Sequence, residues 1–108
     1  MVLVNKTSLE AHDEAAENVQ KTANRVTLES MNAKILGVEF INPTTIPHMT
    51  IAVISLVNGF SLIGKSAPAD PENYDRALGQ KFAQEDAMRQ MWLLEGYLLR
   101  ERLSETNS

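Results

Sequence analysis

Few residues of this 108-residue chain have the type and spacing that catalysis requires. The chain contains two histidines, His12 and His48, and no cysteine. A cysteine nucleophile, a thiolate metal site and a disulfide scaffold are therefore excluded. Neither histidine lies in a nucleophile motif, because no Gly-x-Ser-x-Gly pattern is present. We expect surface or structural roles for both histidines and no catalytic residue.

Motifs for metals and cofactors are equally scarce. The sequence has no His-x-x-x-His pair, and neighbouring acids such as Glu85 and Asp86 are typical of solvated helix faces. The phosphate-loop and Gly-x-Gly-x-x-Gly patterns are absent. The prediction is a protein that is not an enzyme and has no metal and no cofactor. A carboxylate pair for glycoside chemistry stays open as the catalytic alternative.

Three groups of residues have side chains that could bind an anion or a planar ring. Guanidinium and ammonium groups pair with phosphates, and aromatic rings stack on bases. One group lies in a predicted hairpin, one near the positive N-terminal end of a predicted long helix, and one near the C-terminal end of that helix. The candidate ligand-binding residues are Asn58, Phe60, Lys65, Ser66, Asn73, Tyr74, Arg100 and Arg102.

Five of the eight candidates also have an ordinary structural explanation. Asn58 suits a tight turn, and Phe60 and Tyr74 suit half-buried packing positions. Arginines are favoured near any helix C-terminus. Trp92 and Tyr97, by contrast, are predicted to be core residues.

The charge is distributed unevenly along the chain. Residues 41–69 contain a single charged side chain, Lys65, so all the acidic residues lie in the two flanking segments, and the net charge of the whole chain is −4. A stretch so poor in charge is predicted to be either core or a subunit interface. Net acidity argues against binding to duplex nucleic acid, which depends on many phosphate contacts. A small diphosphate ligand needs only a few donors and is not excluded.

Two helices are predicted before the hairpin. Residues 1–24 form a marginal helix, weakly packed or held by another subunit, because their apolar stripe is thin. A second helix is predicted to begin after Thr27, which suits an N-cap, and to end at Gly37. Residues 40–48 contain two prolines and are predicted to form a loop.

An antiparallel β-hairpin is predicted over residues 50–57 and 60–66. Its first strand is rich in β-branched and apolar residues on both faces. The Asn-Gly dipeptide at 58–59 suits the two positive-φ positions of a type I′ turn, which would place Val57 opposite Phe60.

The last predicted element is a long helix or helix pair over residues 70–103. Asp70 suits its N-cap, and a proline follows at the first helical position. A break is allowed at either internal glycine, and residues 104–108 are predicted to be a polar tail. The order helix, helix, hairpin, helix indicates an α+β fold in one domain, residues 1–108.

No segment is predicted to reach a membrane. The longest apolar run, residues 51–57, is far shorter than a bilayer span. The first residues lack the order of a signal peptide. We therefore expect a cytoplasmic protein.

Several strings from Arg25 onward resemble those of a known family. The strings are Arg25-Val26-Thr27, Leu56-Val57-Asn58-Gly59-Phe60, Ile63-Gly64-Lys65-Ser66-Ala67, Asp70-Pro71-Glu72-Asn73-Tyr74-Asp75, Gly79-Gln80-Lys81-Phe82-Ala83 and Trp92 to Leu103. Together they resemble a family of small tailed-phage proteins that includes the first type of Thoeris anti-defence proteins. The resemblance covers about residues 25–103. Lys65 stands where the family usually has an acidic residue, Pro68 where it often has Cys, and Tyr74 replaces a common Phe.

The resemblance implies a multimeric sponge in the host cytoplasm. Thoeris anti-defence proteins sequester cyclic ADP-ribose-type signals without turnover, and some relatives also hold cyclic oligonucleotides at a separate site. The implied partners are a small cyclic nucleotide signal and further copies of the chain, a dimer or higher. The alternatives are an adaptor or inhibitor of a host protein with no small-molecule ligand, and an enzyme that degrades the signal.

Overall fold

The computed structural model describes residues 8–106. The helices are α1 (Ser8–Asn18), α2 (Leu28–Asn32) and α3 (Arg76–Thr106), and the strands are β1 (Ile35–Ile41), β2 (Thr50–Leu56) and β3 (Ser61–Ser66), with a 3₁₀ turn at Pro71–Asn73. The α+β fold class is confirmed. The predictions for residues 1–7, within the first helix, and for 107–108, within the tail, lie outside the described residues.

The sheet has three antiparallel strands in the order β1-β2-β3, one more than the predicted hairpin. The helix predicted to run from Thr27 to Gly37 was wrong in its length, because β1 takes up its second half. The predicted loop over residues 40–48 was wrong only at its start, because β1 extends to Ile41. The capping box at Thr27 starts a helix of only five residues, which ends at Asn32. The chain then pairs with β2, Val38 opposite Ile54 and Phe40 opposite Ala52. Pairing on both sides satisfies the backbone groups of the buried strand β2.

The turn between β2 and β3 is also not the predicted one. Gly59 alone has a positive φ, 92°, so Asn58 does not adopt the type I′ conformation. The Gly59 N–H donates to the Leu56 carbonyl and the Leu56 N–H donates to the Phe60 carbonyl, both at 2.9 Å. Phe60 therefore lies opposite Leu56 rather than Val57. This is the three-residue loop in which a type I turn is followed by a left-handed glycine.

One face of the sheet packs on α3 at close range. Gly64 in β3 is buried, and a Cβ atom there would overlap the Ala83 carbonyl oxygen and lie 2.5 Å from the Ala87 backbone nitrogen. Two α3 side chains bond the outer edge of β3. Asp86 Oδ2 accepts from the Lys65 N–H at 2.9 Å, and Gln90 Nε2 donates to the Ile63 carbonyl at 2.8 Å. The edge of β3 is thereby closed to further strand pairing.

The last helix differs from the prediction at both ends. Asp70 caps the separate 3₁₀ turn, whereas the Asp75 Oδ1 accepts from the Leu78 N–H at 2.9 Å at the start of α3. The 31 residues of α3 span about 46 Å, and the helix passes Gly79 and Gly96 without a break. It includes residues 104–106, which were predicted to be tail. Tyr97, predicted to be core, is 72% exposed because this part of α3 extends beyond the sheet.

The first helix is held by few contacts. Leu9 is its one buried residue among those described, and it joins the main core. Asp13 Oδ1 accepts from Arg25 Nη1 at 2.7 Å and from the Leu28 N–H at 3.1 Å. Burial acts to raise the pKa of Asp13, but the hydrogen bonds from Arg25 and Leu28 and the Arg25 charge outweigh it, so the pKa lies below its ordinary value of 3.8.

The contact at Gly64 generates a first prediction. Gly64→Ala should lower the free energy of unfolding by about 1–3 kcal/mol, because the methyl group forces β3 away from α3. Gly96→Ala is the matched control, since a Cβ there meets nothing within 4 Å. In a helix interior it should raise stability by about 0.5–1 kcal/mol. Urea denaturation measures both, and equal effects of the two substitutions would contradict this packing.

The ion pair at Asp13 generates a second prediction. Since its folded pKa is depressed, its contribution to stability is full above pH 3.8 and is lost as the pH falls through the folded pKa. Asp13→Asn should therefore destabilise by about 1 kcal/mol at pH 7 and by less at pH 3. Urea midpoints at the two pH values test this, with Glu17→Gln, on the exposed side of α1, as control. A pH-independent difference would be the contrary result.

Candidate functional site

Three of the eight sequence-predicted residues come together in the structure. Ser66, Asn73 and Tyr74 line one pocket of about 230 Å³ between the end of β3, the 3₁₀ turn and the first turns of α3. The other predicted residues lie elsewhere. Of the candidates in the hairpin, Ser66 is therefore the one that lies beside the helix candidates Asn73 and Tyr74.

The walls of this pocket are largely apolar and aromatic. Leu78 and Phe82 lie one turn apart on α3, and Tyr74 lies across from them just before the helix. Gly79 lets α3 approach the sheet here, because a Cβ would lie 2.7 Å from the Thr50 Oγ1. Asn42 Nδ2, 3.2 Å from the Tyr74 hydroxyl, donates a hydrogen bond that ties the ring to the loop after β1. The Tyr74 hydroxyl is thus anchored at the pocket wall by Asn42.

The polar groups of the pocket are mostly neutral. Ser66 offers a hydroxyl, Asn73 an amide, and Asp75 a carboxylate whose Oδ1 already caps α3. Of the residues that the structure describes, no lysine or arginine lines this pocket. Such a site favours a planar, polar and uncharged group, such as a nucleobase with its ribose. Phosphates would need cations from outside the lining.

Lys65 is separated from Ser66 by the pleat of the strand. Successive residues of a strand point to opposite faces. Ser66, Gly64 and Leu62 share the face that packs on α3, and Lys65 lies on the opposite, exposed face. Its backbone N–H bonds Asp86, but its ammonium group does not belong to the pocket.

Asn58 and Phe60 lie at the far end of β3 from the pocket. The Asn58 Oδ1 accepts from the Phe60 N–H at 2.9 Å, so the Asn58 side chain shapes the turn. Phe60 is 52% exposed and borders a shallow groove with Gln90, Leu93 and Leu94. The structural explanation of Asn58 therefore accounts for its contacts.

Arg100 and Arg102 are exposed near the C-terminal end of α3. They lie more than twenty residues along the helix from Gly79, which corresponds to about 32 Å. Neither can reach the pocket of its own chain. Within one copy, the arginines that could pair with a phosphate thus lie far from the aromatic pocket.

A second pocket brings together residues that sequence analysis did not connect. Ser8, His12, Arg89 and Trp92 line a cleft of about 360 Å³ between α1 and α3. The His12 ring meets the Trp92 ring edge-on, with centroids 5.0 Å apart. Arg89 Nη2 donates to the Ser8 hydroxyl at 2.7 Å, and that hydroxyl donates to the buried Glu85 at 3.1 Å. No local spacing signals this cluster, because it depends on how α1 packs on α3.

Two negative findings hold for residues 8–106. No three histidine, cysteine, aspartate or glutamate side chains in that range are grouped so that they could hold a metal ion. No helix within it is long and apolar enough to cross a membrane.

The comparisons with known proteins gave one match. The model of the phage protein (N4 Gp49/phage Sf6 gene 66) family matches residues 16–103, from the last turn of α1 almost to the end of α3. Comparison with curated proteins gave no match, and comparison with solved structures gave none either. The matched range includes the whole sheet and the pocket of Ser66, Asn73 and Tyr74. Since it spans most of the chain, the protein belongs to the phage protein (N4 Gp49/phage Sf6 gene 66) family.

Proposed function

We propose that this phage protein is an anti-defence protein that binds and sequesters a cyclic ADP-ribose-type immune signal without turnover. The observation that carries the proposal is the convergence of Ser66, Asn73 and Tyr74 on one aromatic-walled pocket. The proposal also draws on the phage family and on the resemblance of residues 25–103 to Thoeris anti-defence proteins. A cyclic oligonucleotide is a further ligand of the same chemical class.

The pocket can hold the nucleoside part of such a ligand. A purine ring would stack on Phe82 or Tyr74, and each base–aromatic stack contributes about 1–3 kcal/mol. The Ser66 hydroxyl and the Asn73 amide can bond the ring edge or the ribose hydroxyls. Phe82 is 48% exposed at the pocket mouth, so a ligand larger than one nucleoside would project outward past its ring.

The phosphates of the ligand require cations that the pocket lining does not contain. Arg100 and Arg102 are exposed on the part of α3 that extends beyond the sheet. These guanidinium groups are too far from the pocket of their own copy to contact a ligand there. In an assembly, they can approach the pocket of a neighbouring copy. The proposed sponge is therefore a homo-oligomer in the host cytoplasm.

Binding without turnover agrees with the side chains around the pocket. Signal cleavage would need a nucleophile or a general base aimed at the ligand. The lining offers a serine without a neighbouring histidine and an aspartate whose Oδ1 is bonded to the Leu78 N–H. These groups suit recognition of the ligand.

The proposed binding generates a third prediction. Equilibrium dialysis of the purified protein against 1″–2′ or 1″–3′ glyco-cyclic ADP-ribose should show depletion of free ligand, and heating should release it chemically intact. Phe82→Ala should weaken binding about 10-fold or more, because a stacking wall is removed. Phe60→Ala is the matched control, since Phe60 has similar exposure but lies outside the pocket.

Three outcomes would decide against the proposal. If neither ligand is depleted from solution and neither raises the melting temperature of the protein, the protein does not bind these signals. Release of an altered ligand would favour the degrading enzyme. Equal losses for Phe82→Ala and Phe60→Ala would move the binding site away from this pocket.

One observation favours the adaptor alternative. Leu93, Leu94 and Tyr97 are exposed apolar side chains on α3. Leu93 and Leu94 lie beside the start of β3, and Tyr97 lies one turn of helix after Leu93. Such a surface suits docking to a host protein. Copurification of one stoichiometric host protein, abolished by Tyr97→Ala and by Leu93→Ala and unaffected by Phe82→Ala, would support the adaptor over the sponge.

A further inference from the structure

The sheet face that points away from α3 has an unusual composition. On this face Ile41 and Lys65 flank Ile51 in one row, and Glu39 and Ile63 flank Val53 in the next. Ile41 is 43% and Ile63 is 60% exposed. An antiparallel sheet with one solvated face normally presents polar residues there. Four aliphatic side chains on the outward face therefore indicate that another surface covers it.

The structure also limits how a partner can approach. The outer edge of β3 is occupied by Asp86 and Gln90, so a partner cannot extend the sheet on that side. It can stack on the outward face, as in sheets that pack face to face about 10 Å apart.

Two opposite charges border the aliphatic residues. Lys65 lies on β3 beside Ile51, and Glu39 lies on β1 beside Val53, so they are on opposite sides of β2 and one row apart. No ion pair among the described residues engages either side chain. An unpaired cation and an unpaired anion placed on opposite flanks form a self-complementary pattern.

We propose that a second copy of this chain stacks on the outward face, related by a two-fold axis that runs parallel to β2 and midway between the two sheets. This operation places β2 over β2 and β3 over β1 of the other copy. Ile51 and Val53 then face their own counterparts. Lys65 lies next to Glu39 of the other copy, and the reciprocal pair forms on the opposite flank, as an isologous interface requires. The interface uses no residue that lines the pocket of Ser66, Asn73 and Tyr74.

Charge reversal generates a fourth prediction. In sedimentation equilibrium, Lys65→Glu or Glu39→Lys alone should raise the dissociation constant of the assembly at least about 10-fold, because each places like charges together at both flanks. The double variant restores opposite charges and should return the constant to within about 3-fold of the parent. Lys21→Glu, the same charge change on an exposed residue in the segment between α1 and α2, should have no effect.

Circular dichroism of each variant checks that the fold is retained, and the double variant keeps the test decisive if a single variant fails to fold. The inference would be overturned if the double variant had a dissociation constant as high as the single variants, or if all variants had the same dissociation constant as the parent. A parent chain that stays monomeric at micromolar concentration would also overturn it. These results are separable from the proposed function. Ligand depletion by Phe82 variants and assembly by Lys65 and Glu39 variants are measured independently.

Discussion

The close contact between β3 and α3 is the constraint on which the rest of the structure depends. Gly64 allows the strand to lie against the backbone of Ala83 and Ala87. Asp86 and Gln90, one turn apart on the same helix, then bond the strand edge at Lys65 and Ile63. Backbone contact at Gly64 and these two hydrogen bonds set the register between the sheet and the helix. Large side chains, Ile54 and Leu62 of the sheet and Met88 and Met91 of α3, belong to the same buried core.

That register determines where function can lie. At one end of the contact the chain leaves β3, turns through Asn73 and Tyr74, and enters α3, which creates the aromatic pocket. At the other end α3 continues beyond the sheet and carries Tyr97 and the terminal arginines away from it. Among residues 8–106, Ile41 and Ile63 on the outward sheet face are exposed. The aromatic pocket, the distant cations and the exposed aliphatic face are thus consequences of one packing arrangement.

The sequence predicted the parts of the fold that local chemistry determines. The β-rich run at 50–57, the N-cap at Thr27 and the Asp-Pro start at residue 70 each act through neighbouring residues, and each has its counterpart in the structure. Strand β1 was missed, because Ile35 to Ile41 becomes a strand only through pairing with β2. Tyr97 was misplaced because sequence periodicity does not reveal where the sheet stops supporting the helix.

The candidate site shows the same division. Asn73 and Tyr74 are adjacent in sequence, and Ser66 precedes them by a short connector, so their proximity could be predicted. The separation of Lys65 from Ser66 follows from strand alternation, which a prediction based on charge alone overlooked. The cluster of His12, Arg89 and Trp92 depends on helix packing over nearly the whole chain, and no local pattern encodes it.

Native mass spectrometry of the purified protein incubated with glyco-cyclic ADP-ribose tests the central claim most directly, because it reports copy number and bound ligand in one spectrum. We expect an assembly with an even number of copies that carries intact ligand. A single chain without ligand at micromolar protein concentration would contradict both the proposed binding and the proposed assembly.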